Sequence, residues 1–249
     1  MQYRRLGRSD IEVSEICLGT MTWGTQNTQD EAFEQMDTAL EAGVNFFDCA
    51  EMYPTPYADE THGRTEEIIG NWFAARGTRD RVVLATKALG PGERFNHVRG
   101  GPRFNRDQLE QAVDASLRRL RTDWIDLYQL HWPERPANYF GKLGFDRPGD
   151  DGDWTSFEET LGALQDLVDK GKIRHAGLSN DTAWGTLRML SFAEAGHGPR
   201  VVSVQNPYSL LNRSFEAGLG EVAVREDCGL LAYAPLAAGT LTGKYLHGA

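Results

Sequence analysis

Four chemically useful side chains stand at or just beyond the ends of apolar runs. Asp48 closes Val44–Phe47, Tyr53 follows five positions later, Lys87 comes after Val82–Ala85, and His131 ends Ile125–Leu130. A free tyrosine titrates near pH ~10 and is a poor acid at neutrality. A nearby lysine cation lowers that value, and a carboxylate beside the lysine keeps it charged and oriented. A histidine opposite can hold a substrate oxygen and assist the proton. The set suits proton delivery to a carbonyl oxygen while another group supplies hydride to the carbon. Singly, each residue has a plainer reading: an Asp that caps a turn, a solvated Lys, a satisfied core His. Four at successive strand ends are harder to dismiss, because perturbed titratable groups gather at sites.

Such a set needs a scaffold that brings distant strand ends together. Apolar runs read as strands at Glu15–Leu18, Val44–Phe47, Val82–Ala85, Ile125–Leu130, Ala176–Leu178, Val201–Val204 and Leu230–Ala232. Runs of this kind, buried on both faces, belong to parallel sheets. Helix signals lie between them. Thr28-Gln-Asp-Glu31 and Ser156-Phe-Glu-Glu159 are capping boxes. Leu109, Ala112, Val113, Ser116, Leu117 and Leu120 recur at helical spacing, as do Phe157, Leu161, Leu164 and Val168. Repeated βα units mean an α/β fold, either an open doubly wound sheet or a (β/α)8 barrel.

Two features favour the barrel. Polar residues close almost every strand: Gly19-Thr20, Asp48, Lys87, His131, Ser179-Asn180, Gln205 and Tyr233. In a barrel those ends converge on one mouth. The strand-to-helix connections 49–64, 88–105 and 132–155 are long, whereas the reverse connections are short, so one face is decorated. The Pro-, Gly- and acid-rich segment 132–155 reads as an active-site lid within a single domain spanning 1–249. Tyr3–Val13, with a turn at Gly7-Arg-Ser-Asp10, reads as a hairpin plugging the barrel bottom.

Composition narrows the function classes. A net charge of −10 argues against a general nucleic-acid binder. No apolar run approaches the roughly 20 residues of a membrane span, and the N-terminus shows no signal-peptide core. Three separated cysteines, Cys17, Cys49 and Cys228, fit a reduced cytoplasmic protein. No histidine pair has metal-ligand spacing, so no metal is expected. No GxGxxG follows the first strand, and no GxSxG occurs. Gly239-Thr-Leu-Thr-Gly243-Lys244 is one residue short of a P-loop, with Tyr245 where Ser or Thr belongs. Such a turn can still offer backbone N–H groups to a phosphate.

A run of motifs in order resembles the aldo-keto reductase superfamily, and within it the Tas-like bacterial branch. These are Tyr3-Arg-Arg-Leu-Gly-Arg-Ser9, Cys17-Leu-Gly-Thr-Met-Thr-Trp-Gly24, Phe47-Asp-Cys-Ala-Glu-Met-Tyr53 and Ala85-Thr-Lys87. They continue with Asp126-Leu-Tyr-Gln-Leu-His131, Gly177-Leu-Ser-Asn180, Gln205-Asn-Pro-Tyr-Ser-Leu-Leu-Asn212 and Ala232-Tyr-Ala-Pro-Leu236. The resemblance implies a (β/α)8 barrel that reduces aldehydes and ketones with NADPH. It implies Tyr53 as general acid, Lys87 lowering its pKa, Asp48 paired with Lys87 and facing the cofactor, and His131 orienting the carbonyl. Ser179, Asn180 and Gln205 would hold the nicotinamide carboxamide and Tyr233 would stack on its ring. Gly19, Thr20 and Met21 would line the cofactor cleft. Ala234 and Pro235 would also bind the cofactor, and the Leu236–Lys244 loop, with Leu236, Ala237, Gly239, Leu241, Gly243 and Lys244, would fold over the pyrophosphate. Trp23, Tyr57 and Trp132 would join Tyr53 and His131 around the substrate, with plain core packing an equal alternative for each aromatic.

Family members run on for about another helix-strand-helix unit, which carries the last barrel strand and the 2′-phosphate site. The expectation is therefore a barrel truncated after its seventh strand, with NADPH preference inherited from the family. A regulatory or partner-binding barrel with little turnover, or an inactive fragment, are the alternatives. The substrate and the oligomeric state are not readable.

Overall fold

The computed structural model describes residues 1–140, 142, 144–145 and 152–246. Strands β1 (Tyr3–Arg5) and β2 (Glu12–Ser14) pair antiparallel as the expected hairpin. Leu6 and Val13 pack on Phe46, Ala85, Leu127, Val202 and Leu231, which plugs the bottom of the main sheet. Gly7 turns this hairpin at φ +53°, and a Cβ there would lie 2.1 Å from the Val202 carbonyl oxygen. Glycine alone fits so close an approach.

Seven parallel strands follow, hydrogen-bonded in chain order: β3 (Cys17–Gly19), β4 (Phe46–Asp48), β5 (Val83–Ala88), β6 (Ile125–Leu130), β7 (Ile173–Ser179), β8 (Val201–Pro207) and β9 (Gly229–Tyr233). Helices α1 (Gln29–Glu41), α2 (Arg64–Arg76), α3 (Arg106–Leu120), α4 (Phe157–Asp169), α5 (Ala183–Glu194) and α6 (Leu219–Arg225) alternate with them. The fold is α/β, seven strands of a (β/α)8 barrel. Among the described residues no pairing joins β9 to β3. None of these helices is long and apolar enough to cross a membrane.

Each expected strand is present; β6 keeps the expected bounds and the others have shifted ends. β7 begins three residues before the apolar run because its polar residues are used: Arg174 binds Asp126 at 3.0 Å and His175 binds Asp10 on the hairpin at 2.7 Å. Thr28 and Glu31 form the full capping box of α1. Ser156 accepts the Glu159 N–H at 3.1 Å, so it caps α4. Helix α2 had no clear sequence signature. Its N-cap is Gly63, and its buried residues, Thr65 to Phe73, run around most of its surface. Gly70 lets it touch α3: a Cβ there would lie 2.1 Å from the Arg119 carbonyl oxygen.

The strand period of two decides what faces inward. Phe46, Ala85, Leu127 and Leu231 share one cluster at the bottom of the barrel. Two residues along each strand on the same face stand Asp48, Lys87, Gln129 and Tyr233, and His131 lies two beyond Gln129. The inner face is thus apolar below and polar at the mouth. Of the expected lid, Trp132–Phe140, Lys142, Gly144, Phe145 and 152–155 are described, and the remainder lies outside the described residues.

Candidate active site

Lys87 lies at the centre of the mouth with 0% side-chain exposure. Its Nζ donates to Asp48 Oδ2 and to the Cys49 carbonyl oxygen, each at 2.7 Å. The same Nζ stands 4.9 Å from the centre of the Tyr53 ring. That ring meets His131 edge-on at 5.7 Å between centres. The four residues separated in sequence are therefore brought together around one point. Burial pushes the Lys87 ammonium down, but the Asp48 carboxylate, then Tyr53, outweigh it and hold the lysine above its usual range. Lys87 is a permanent cation.

Tyr53 departs from expectation. Burial raises its phenol above the ordinary value, and Lys87 opposes that rise without reversing it. The lysine charge is largely spent on Asp48, and the low-dielectric site penalises a phenolate. The phenol is therefore protonated at neutral pH, as a proton donor must be. Burial, reinforced by Lys87, holds His131 well below the usual histidine range, so its ring is neutral. Its Nδ1 is buried without a hydrogen-bond partner among the described residues. A neutral imidazole can donate from one nitrogen without adding a second charge beside Lys87.

Asp48 is held from its other side by two amides. Gln129 Nε2 donates to Oδ1 at 3.0 Å and Gln205 Nε2 at 2.8 Å. The amide N–H groups of Gln205, expected on a cofactor carboxamide, are thus turned to the carboxylate. Gln129 was not picked out from the sequence. Its only signal was parity: a polar residue two positions before His131 on an inward face. We expect Gln129→Met to lower the rate of the chemical step about tenfold, since one buried charge-assisted hydrogen bond contributes roughly 1.5–3 kcal/mol. Pre-steady-state kinetics check this, and a rate equal to wild type would show that Gln205 alone orients Asp48.

Ser179 ends β7 beside this group, and Asn180 follows it. Ser179 Oγ donates to the Gln205 carbonyl oxygen at 3.1 Å. Asn180 Nδ2 donates to the His131 carbonyl oxygen at 2.9 Å, and Asn180 Oδ1 accepts the Tyr233 hydroxyl at 2.5 Å. Tyr233 is therefore at the mouth, with its hydroxyl anchored. Burial, then Tyr53, pushes that hydroxyl up to about 12. Thr20 is buried and donates to the Asp48 carbonyl oxygen at 2.9 Å, while Gly19 and Met21 are exposed beside it.

The loop after β9 is exposed and unusual in its backbone. Ala234, Ala237, Ala238, Gly239 and Gly243 all have positive φ, at 51°, 49°, 52°, 95° and 84°. Non-glycine residues rarely adopt that region, and alanine there costs about 1–2 kcal/mol. Backbone alternating through left-handed conformations turns N–H groups into anion-binding concavities. Lys244 lies over this turn, its Nζ 3.0 Å from where a Gly239 Cβ would stand. Pro235, Leu236 and Leu241 complete the loop.

The three expected pocket aromatics separate. Trp23 is 1% exposed, belongs to the main core and donates to Gln35 Oε1 at 2.8 Å, so it supports the barrel rather than walling the mouth. Trp132 packs on His131 at 4.9 Å and on Phe95 at 5.8 Å, and its Nε1 is tied to the Pro91 carbonyl oxygen at 2.9 Å. Tyr57 faces Phe95 edge-on at 5.0 Å, with its hydroxyl 2.8 Å from His97 Nε2. Trp132, Phe95, Leu89 and Tyr57 form an apolar cluster beside His131. Phe95 and Leu89 were not anticipated, because they come from an irregular loop without periodicity.

Comparison with known proteins adds a family. The model of the Aldo/keto reductase family matches residues 15–249. Protein tas of Escherichia coli K12 is 49% identical over 250 residues, which cover 100% of this chain and 72% of that protein. The uncharacterized oxidoreductase YrpG of Bacillus subtilis 168 is 36% identical over 251 residues, 99% of this chain and 70% of that protein. Norsolorinic acid reductase B of Aspergillus parasiticus is 32% identical over 252 residues, 96% of this chain and 59% of that protein.

Proposed function

The chain belongs to the aldo/keto reductase family, and from that premise we propose that it reduces aldehyde or ketone carbonyls to alcohols with NADPH, Tyr53 serving as the proton donor. The observation that carries this is the fully buried Lys87 ammonium, bound to Asp48 and set beside the Tyr53 ring. A sheet built only for stability gains little from a desolvated charge, since replacing a buried ion pair with apolar residues is often neutral or stabilising. Its placement next to a phenol is useful where the phenol must release a proton.

The residues present fit a nicotinamide dinucleotide. The left-handed turns from Ala234 to Gly243 and Lys244 suit a pyrophosphate. Ser179 and Asn180 stand at the mouth with their side-chain hydrogens donated within the chain, leaving acceptor lone pairs on Oγ and Oδ1 for a carboxamide N–H, and Tyr233 stands beside them. When bound, NADPH supplies the hydride. Everything else falls to the chain. The neutral His131 ring holds the substrate oxygen next to the Tyr53 hydroxyl. Tyr53 gives its proton to that oxygen as negative charge develops there. Lys87 stabilises the resulting phenolate, and Asp48 keeps Lys87 oriented. Trp132, Phe95, Leu89 and Tyr57 exclude water and favour small apolar carbonyls. The three cysteines are unpaired, which supports a cytoplasmic setting.

The test is NADPH oxidation at 340 nm with a panel of aliphatic and aromatic aldehydes and ketones. Turnover on at least one of them is expected. Tight NADPH binding without turnover on any would replace the enzyme with a cofactor-binding barrel of regulatory or partner-binding role.

A further inference from the structure

Outside the proton-delivery group, the mouth holds a second buried ion pair that the mechanism does not use. Arg135, in the loop after β6, donates from Nη2 to Asp181 Oδ1 at 2.5 Å and to Thr182 Oγ1 at 3.2 Å. The two charged side chains are 8% and 6% exposed. The guanidinium also lies 5.6 Å from the Phe157 ring and 5.3 Å from the Trp184 ring. Gly185 makes room for it, since a Cβ there would lie 1.9 Å from Nη2. Arginine's planar fork suits this arrangement, and lysine could not reproduce it.

What the pair grips is the residue next to Asn180. The Asp181 carboxylate accepts the Thr182 N–H at 2.6 Å, and the Asp181 carbonyl oxygen accepts Asn206 Nδ2 at 2.9 Å. Asn180 itself has φ +54°, in the left-handed region that non-glycine residues adopt uncommonly and asparagine most readily, and several bonds hold it there. Its backbone N–H binds the Gln205 carbonyl oxygen at 2.9 Å, and its amide reaches the His131 carbonyl oxygen. Two links therefore join the end of β6 to the end of β7: Asn180 to His131, and Asp181 to Arg135. We propose that Arg135, acting through Asp181, is a positioning residue that holds Asn180 in its left-handed conformation and so sets affinity for the nicotinamide end of the cofactor. The proposal rests on Asn180 being a cofactor ligand. The pair joins the loop after β6 to the residue that directly follows Asn180, so its removal frees the backbone on that side of the ligand.

The experiment is calorimetric titration of the full chain with NADPH. Arg135→Met is expected to weaken NADPH at least tenfold and to raise its KM far more than it lowers kcat. Breaking the pair also leaves Asp181 buried without its cation and destabilises the fold. Two further variants separate that effect. Arg135→Met/Asp181→Leu carries neither charge, so its thermal midpoint should recover while its affinity stays weak. Arg79→Met breaks the pair with Asp126 at the opposite end of β6 and should lower the midpoint without weakening NADPH. Affinity within twofold of wild type in the double variant, or an equal loss in Arg79→Met, overturns the proposal. Asn180→Ala should also bind at least tenfold more weakly. If its titration matches wild type, including the case where neither binds, the assignment of Asn180 as a ligand fails, and the proposal fails with it.

Discussion

Tyr53→Phe should lower the rate of carbonyl reduction about a thousandfold while NADPH affinity stays within about twofold of wild type, the loss lying within the range general acid catalysis supplies. The substitution removes one oxygen and keeps the ring. That ring makes the packing contacts, edge-on to His131 at 5.7 Å and beside Lys87 Nζ at 4.9 Å. The fold should therefore be retained. What disappears is the only phenol in the group whose proton is adjacent to a permanent cation. Tyr233 cannot replace it, because its hydroxyl is donated to Asn180. Single-turnover reduction with prebound NADPH measures the chemical step directly. A rate within tenfold of wild type would sink the assignment of Tyr53 as the acid.

Lys87→Met should cost a further distinguishable loss, about a hundredfold or more in the chemical step. Burial raises the Tyr53 phenol, and Lys87 is the largest influence opposing that rise. Without the cation the phenol becomes a still weaker acid. The same variant leaves the Asp48 carboxylate without its cation, and removing one partner of a buried pair costs roughly 3–5 kcal/mol. Asp48→Asn/Lys87→Met removes both charges and should recover much of the stability but none of the activity. Urea unfolding and single-turnover kinetics, run on both variants, separate the two effects. Equal recovery of stability and rate would mean that the pair is structural.

The pair also fixes a pH dependence of stability. Lys87 holds its proton more tightly in the folded state than in the unfolded chain, where a lysine titrates near ~10.5. Its contribution is therefore fully present below that value and is lost only as pH rises above it. Neutral and mildly acidic conditions leave it intact.

Much of this was legible along the chain because it depends on local rules. Alternating apolar runs and amphipathic stretches identify βα units, and polar residues closing successive strands mark Asp48, Lys87 and His131 as neighbours at one mouth. The Thr28 box and the Gly7 turn follow from backbone chemistry within a few residues. The motifs at the strand ends named the family for the same reason: each is a short contiguous segment. The polar residues within β7 hid its start, since their partners Asp126 and Asp10 lie on other elements. Helix α2 was hidden because its buried residues spread over more than half of its circumference, Glu66 and Gly70 among them, which blurs the apolar stripe.

Tertiary structure alone decided the balances. Whether Tyr53 is raised or lowered depends on burial against one cation, and neither quantity has a sequence signature. Gln129 and Gln205 meet on one oxygen of Asp48 because strands β4, β6 and β8 curve around a common axis, which brings residues 76 to 157 positions apart within 3.5 Å of one another. Trp23 and Trp132 are the same residue type at two strand ends, yet one is core and the other stands beside His131. The chain specified which side chains face inward; the curvature of the sheet selected which of them touch.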